Sequence, residues 1–291
     1  MNQVLCVVPA GDICGEGAVW HPGENALYWT DINRFLVHRY DPDRQTTETW
    51  LFEEPVTAVN LTTGSELLLV LGSNISLWSP DSHPQLKTLH TLESSPKMRF
   101  NDAGVDPRGS LWAGTMRNNV GSKGEELDVE FSGGILYRLD PDGHTSKWKE
   151  NVGVSNTVAW SPDRARFYFA DSPANIIWSY AFDERTGAIS NETTFLSGYP
   201  QGSPDGSAVD AQGYLWNARY GGGRLIRIDP EGGIDRVVDL PVANPTTCAF
   251  GGSDLKTLYI TSARSADRLS GSVFALETEI GGLAASRFNL P

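Results

Sequence analysis

A short apolar segment recurs six times along this chain, and that recurrence limits the available folds more than any other feature. The copies are Gly17-Ala-Val-Trp20, Ala58-Val-Asn-Leu61, Ala103-Gly-Val-Asp106, Thr157-Val-Ala-Trp160, Ser207-Ala-Val-Asp210 and Thr247-Cys-Ala-Phe250. Successive copies lie roughly 40 to 50 residues apart, the length of one four-stranded propeller blade. Most are followed by a turn rich in Gly, Pro, Asp or Asn and then by an aromatic-rich strand. His21-Pro-Gly-Glu precedes Leu27-Tyr-Trp-Thr30, Asp106-Pro-Arg-Gly precedes Leu111-Trp-Ala-Gly114, and Ser161-Pro-Asp precedes Phe167-Tyr-Phe-Ala170. Asp210-Ala-Gln-Gly leads into Leu215-Trp-Asn-Ala218, and Gly251-Gly-Ser-Asp into Leu258-Tyr-Ile-Thr261. The second copy, Leu67 to Leu71, lacks the aromatics.

A third strand follows in each unit: Val37–Tyr40, Ile75–Trp78, Ile135–Arg138, Ile177–Tyr180, Leu225–Ile228 and Ser272–Ala275. Several end in Asp-Pro turns, at Asp41-Pro42, Asp140-Pro141 and Asp229-Pro230. Alternation bounded by such turns marks strands, and no long segment has helical periodicity. The expected fold is all-β, a six-bladed β-propeller with a metal site in its central channel, forming a single domain over residues 1–291. An unrelated sandwich or barrel would not call for six copies in phase. A propeller leaves an open strand edge unless one terminus pairs with the other. Val4 to Val8 is placed to close the ring against the blade built from residues 246 to 276.

Composition narrows the function. The formal net charge of -13 disfavours nucleic acid, which needs a basic groove. Cys6, Cys14 and Cys248 are an odd set without a CxxC pair, so neither a disulfide framework nor a thiolate zinc site is indicated. No stretch reaches membrane-spanning length, and Met1 to Ala10 lacks the basic and apolar regions of a signal peptide. A cytoplasmic setting is the expectation, with no nucleic-acid or membrane partner and a monomer or weak homodimer.

In a propeller the first strand of each blade lines the channel, so polar residues at its entrance converge. Glu16, Asn101-Asp102, Asn156 and Asp205 stand four or five positions before the same reference residue of the repeat: Trp20, Asp106, Trp160 and Asp210. Glu16, Asn156 and Asp205 then offer two carboxylates and an amide carbonyl around one point. Such hard oxygen donors suit Ca²⁺, Mg²⁺ or Mn²⁺ and also hold Zn²⁺ or Fe²⁺. Two buried acids without a counter-ion conflict, and a divalent cation removes the conflict.

Cys14-Gly-Glu-Gly-Ala-Val-Trp20, Arg99-Phe-Asn-Asp-Ala-Gly-Val-Asp-Pro107, Trp112-Ala-Gly-Thr-Met116, Ser155-Asn-Thr-Val-Ala-Trp-Ser-Pro-Asp163, Pro204-Asp-Gly-Ser-Ala-Val-Asp210 and Cys248-Ala-Phe-Gly-Gly252 resemble the signatures of the SMP-30/gluconolactonase/regucalcin-like family. The resemblance runs in order through nearly the whole chain. It implies a six-bladed propeller that binds one divalent metal and hydrolyses a sugar lactone to the sugar acid. By motif, Glu16, Asn156 and Asp205 resemble the metal ligands, Arg99 and Asn101 the substrate-binding pair, and Asp205 the catalytic base. Where animal members carry an acidic sugar contact this chain reads Arg117-Asn-Asn-Val-Gly121, so Asn119 is expected to keep the contact as an amide. Residues 121–132 are expected to form part of a loop at the channel mouth.

The expected activity is that of a divalent-metal-dependent, gluconolactonase-like lactonase acting on a small-molecule sugar lactone. The sequence leaves open whether Asp205 or the cation activates the attacking water, and which lactone is opened. The alternatives are a non-catalytic metal-binding propeller of the regucalcin type and a hydrolase of other esters; Arg99, Asn101, Asn118 and Asn119 make the pocket polar and favour a sugar. A GxSxG elbow is absent from the sequence. His21, His38, His83, His90 and His144 are expected at the surface or in structural roles, and Cys14 near the pocket as packing. Trp29, Trp112 and Trp216 are expected mostly between blades, with Trp112 or Trp216 a candidate for stacking on a sugar.

Overall fold

The structure, a computed structural model, describes residues 3–290. Met1, Asn2 and Pro291, which the expected one-domain span also takes in, lie outside the described residues. The first strand is β1 (Leu5–Val8). Blade one follows as β2 (Gly15–His21), β3 (Ala26–Asp31), β4 (Leu36–Asp41) and β5 (Thr46–Leu51). Blade two is β6 (Val56–Thr62), β7 (Leu67–Leu71), β8 (Asn74–Trp78) and β9 (Lys87–Thr91). Blade three is β10 (Met98–Val105), β11 (Leu111–Arg117), β12 (Gly134–Leu139) and β13 (Thr145–Val152). Blade four is β14 (Ser155–Trp160), β15 (Arg166–Asp171), β16 (Ile176–Asp183) and β17 (Ala188–Ser197). Blade five is β18 (Ser203–Val209), β19 (Leu215–Tyr220), β20 (Arg224–Ile228) and β21 (Ile234–Asp239). Blade six supplies β22 (Pro245–Gly251), β23 (Thr257–Ser262) and β24 (Val273–Glu277), and β25 (Arg287–Phe288) ends the series.

These strands form six antiparallel sheets, and β25 adds a parallel edge beside β6. The fold is an all-β six-bladed propeller; the described residues hold a single 3-10 turn at Pro80–Ser82 and no α-helix. The ring closes as the sequence led us to expect. β1 pairs with β24 through Leu5↔Ala275 and Cys6↔Phe274, giving blade six its fourth strand. No helix is long and apolar enough to cross a membrane, among the described residues.

Aromatic strands pack between blades. Trp112, Leu136 and Val152 of blade three meet Trp160, Phe167, Phe169 and Tyr180 of blade four in one buried cluster. Val19, Tyr28 and Val37 of blade one meet Val59, Leu69 and Trp78 of blade two in another. Each such side chain contributes roughly 1.5–3 kcal/mol when fully buried, so the blade interfaces hold the ring together. The outer strands lack this support: β5 and β21 are mostly exposed.

The chain beyond β24 was not anticipated from sequence. Its Gly282 bridges Asp210 and its Leu283 N–H donates to the Val209 carbonyl, both at the end of blade five's first strand. It then pairs Arg287 and Phe288 with Leu61 and Thr62 of blade two. The first strands pack side by side in the order one to six and back to one, so blades five and two stand opposite each other. The C-terminal segment therefore spans the channel as a strap. Above it lies a cavity of about 390 Å³, lined by Val19, Val59, Asn60, Val105, Val209 and Phe250 and walled by Leu283 to Ser286.

Candidate functional site

All six first strands are bulged at the same level. The register slips between Glu16 and Val19, Val56 and Ala58, Phe100 and Ala103, Asn156 and Ala159, Pro204 and Ser207, and Pro245 and Cys248. A bulge re-aims side chains that regular pleating would send to alternate faces. In two of the six the bulge includes a left-handed residue, Gly17 (φ 59°) in blade one and Thr157 (φ 56°) in blade four. A side chain on Gly17 would meet the Thr57 carbonyl at 2.6 Å, so glycine is required there for space as well. Thr157 is β-branched and strained at such a φ. Its Oγ1 donates to the Asp205 carbonyl at 2.5 Å and lies 2.9 Å from Ser207 Oγ, tying blade four to blade five.

Glu16, Asn156 and Asp205 are buried. The Glu16 and Asp205 carboxyls stand within hydrogen-bond reach of each other. Asn156 directs its amide nitrogen away, Nδ2 donating to Ser172 Oγ at 2.8 Å. Its Oδ1 is left to face Asn101, whose Nδ2 donates to it at 3.2 Å and to the Ser155 carbonyl at 2.9 Å. Arg99 is buried alongside: Nη1 donates to Asn101 Oδ1 at 2.7 Å, while Nε and Nη2 reach Asn119 Oδ1 at 3.0 and 2.8 Å. Of the six residues expected from sequence, Glu16 and Asp205 form one pair, and Arg99, Asn101, Asn119 and Asn156 form one hydrogen-bonded group. Asn118 is turned elsewhere, its Nδ2 donating to the Pro96 carbonyl at 3.2 Å.

Electrostatics identify the conflict within this cluster. Burial, and then the charge of Asp102, push the Glu16 carboxyl up to about 8. Burial and the charges of Glu16 and Asp102 raise Asp205 as well. Burial lifts Asp102 to about 7, although the backbone N–H groups of Ala103, Thr157 and Val158 favour its charged form. The Arg99 guanidinium, pushed down to about 10 by burial, does not hydrogen-bond the carboxyls; its bonds go to Asn101, Asn119 and the Phe100 carbonyl. Among the described residues no three His, Cys, Asp or Glu side chains gather as a cation-binding group. The donor set here is mixed. Two acids crowded together, with the Asn156 amide oxygen offered at the same level of the bulged strands, are a fit for a hard divalent cation.

Several residues near the site were not assigned a role from sequence. Asp102 joins blades three and four through the backbone bonds just named, and its position one residue after Asn101 was the available signal. Cys14 is half-buried, and burial followed by the Glu16 and Asp205 charges hold its thiol well above the usual range, which makes it a poor nucleophile. Tyr220 ends the second strand of blade five and carries no repeat-phase signal at all. Trp112 and Trp216 are not stacking platforms: both are buried, and their indole N–H groups donate to Asp106 and Asp210 at 3.0 Å, at the opposite ends of the first strands. His38 is buried and stacked on Trp29, a structural position.

The model of the SMP-30/Gluconolactonase/LRE-like region matches residues 14–264. The chain belongs to this family. It is 37% identical to a 6-deoxy-6-sulfogluconolactonase of Pseudomonas putida, over 99% of each chain. It is 35% identical to a pentonolactonase of Haloferax volcanii, over 89% of this chain and 85% of that one. Among solved structures, a calcium-binding regucalcin of Agrobacterium tumefaciens superposes with a TM-score of 0.91 at 26% identity, covering 99% of this chain and 98% of the other.

Proposed function

We propose that this protein hydrolyses a sugar lactone to the sugar acid, with one divalent cation held by Glu16, Asn156 and Asp205. The reading rests on one observation above the rest: Asn101, which accepts from Arg99, donates to the Asn156 amide oxygen, so the donors suited to a sugar adjoin a candidate cation ligand. A cation bound there would polarise the lactone carbonyl and offset the negative charge of the transition state. Arg99 supplies charge-assisted hydrogen bonds to the lactone or its hydroxyls. Asn101 and Asn119 orient the ring with their amides. Asp205 accepts the proton of the attacking water as the new C–O bond forms, and returns it to the ring oxygen as the ester bond breaks. The relatives named as lactonases, and a pocket rich in amides, favour a sugar over an apolar ester.

The test is a pH-indicator hydrolysis screen across pentono- and hexonolactones, with Ca²⁺, Mg²⁺, Mn²⁺, Zn²⁺ or Fe²⁺ added to chelated protein. Opening of at least one lactone, abolished by chelation, is the expected result. If every lactone survives with every metal, the proposal falls and a non-catalytic cation-binding role takes its place.

A further inference from the structure

Sugar sites commonly combine polar groups with an apolar face, because a pyranose or furanose ring carries C–H bonds between its hydroxyls. The tryptophans suggested by sequence for that face are buried at the far ends of the first strands. A different aromatic ring stands at the mouth. Tyr220 closes β19 opposite Ser203 of β18, two residues before Asp205. It is 43% exposed, whereas its strand neighbour Arg219 is buried.

The pKa of the Tyr220 phenol is pushed to about 12 by burial and then by Cys14, Asp205, Glu126 and Glu16. Cys14 and Glu16 belong to blade one and Asp205 to blade five, while Glu126 sits on the excursion from blade three between β11 and β12. Charges from three parts of the ring act on this hydroxyl, in keeping with the place the Ser203↔Tyr220 pairing gives it, at the end of blade five that carries Asp205. The same excursion reaches blade one, where Asn33 Nδ2 donates to the Gly124 carbonyl at 2.9 Å. Tyr220 thus ends its strand on the side of blade five that carries Asp205, the side to which the excursion also reaches.

Its backbone is held firmly. Arg219 donates to the Gly202 carbonyl at 2.5 Å and to Asn175 Oδ1 at 2.6 Å, and its guanidinium lies 5.0 Å from the Tyr199 ring centre. A rigid strand end carrying a half-exposed aromatic ring offers a preorganised contact surface with little ordering cost. Aromatic rings of this kind supply apolar area with few rotatable bonds, and the phenol remains free to meet water.

We propose that Tyr220 is a substrate-contacting residue that sets affinity for the sugar ring through the face of its own ring. The inference rests on the lactonase reading above and adds the group that selects a ring-shaped polyol over an open or smaller ester. It acts on binding and takes no proton.

The experiment compares wild type, Tyr220→Ala and Tyr220→Phe in steady-state hydrolysis of glucono-1,5-lactone and a pentono-1,4-lactone. Cation affinity by calorimetry and thermal melts are measured alongside. Tyr220→Ala is expected to raise KM about tenfold with kcat changed less than about threefold and cation affinity unchanged. Tyr220→Phe, which keeps the face and loses only the hydroxyl, recovers most of that loss. An unchanged KM in a folded Tyr220→Ala protein overturns the contact. A KM raised as much by Phe as by Ala overturns the role of the ring face. Wild type that opens neither lactone with any cation removes the lactonase reading, and this inference with it.

Discussion

At the mouth of the channel the six first strands present Glu16, Asn101, Asn156 and Asp205; at the other end the same strands present Val19, Val59, Val105, Val209 and Phe250. The contrast comes from the bulge each strand carries. Before it, polar residues are turned to the axis and crowd their charges together. After it, regular pleating resumes and aliphatic side chains line a cavity that the C-terminal strap walls off. The two ends share Asp102, which lines the cavity and also raises the pKa of Glu16. Chemistry and closure are thereby separated along a single set of strands, so each can be changed with little effect on the other.

The strongest challenge to that separation is Asp205→Ala. Removing a base and cation ligand is expected to lower kcat by a hundredfold or more, in line with the usual range for positioned acid–base groups. The melting temperature of the chelated protein should stay the same or rise, because one of two touching buried acids is gone. Activity within tenfold of wild type would remove Asp205 from the reaction.

At the opposite end, Phe288→Ala should act on stability alone. Phe288 is buried against Ala58, Leu68 and Phe100, and truncation costs about 3 kcal/mol. The KM for any lactone should not move; a shift in KM would show that the strap communicates with the mouth.

A third test uses pH. A carboxyl whose pKa is raised by folding binds its proton more tightly in the folded chain than in the unfolded one. The stability gained is present in full below the ordinary value of 4.5 and is lost as pH rises through the folded value near 8. Chelated protein should therefore melt at progressively lower temperature across that window, and a divalent cation should flatten the slope. Equal slopes with and without cation would argue against a cation at Glu16 and Asp205.

The smallest effect is expected from Asn60→Leu. Asn60 is buried at the cavity wall and its Nδ2 has no hydrogen-bond partner in the structure. Replacing an unpaired amide by an apolar side chain of similar size is nearly neutral, within about 1 kcal/mol. A loss above about 2 kcal/mol, read from denaturant melts, would reveal a partner at the far end.

How much of this was written in the sequence depended on burial. The first three strands of each blade are rich in apolar residues and bounded by turns because they pack against neighbouring blades, so Leu27–Thr30 and Ile177–Tyr180 could be read directly. The outer strands were silent: Thr46–Leu51 reads TTETWL and is mostly exposed, leaving no apolar face to give a period. Of the site, repeat phase was enough to bring Glu16, Asn156 and Asp205 to one level. The bulge that turns them inward had only faint signs, Gly17 and Gly206 directly after the acids. Phase could not find Tyr220, since it lies on a second strand. The packing of Trp112 and Trp216 between blades was legible, but the suggested sugar contact is not met, since their indoles donate to the turn residues Asp106 and Asp210.

The pairing of β1 with β24 sets an order of events during synthesis. Leu5 to Val8 leaves the ribosome before any blade, yet its partner Val273–Glu277 follows only after blades one to five have been made. Blades one to five can form hairpins as they emerge, through contacts close in sequence, while the seal waits for β24. A long-range pairing of this kind slows completion and leaves an unpaired strand exposed meanwhile. The strand made ahead of the blades is seated only after five of them.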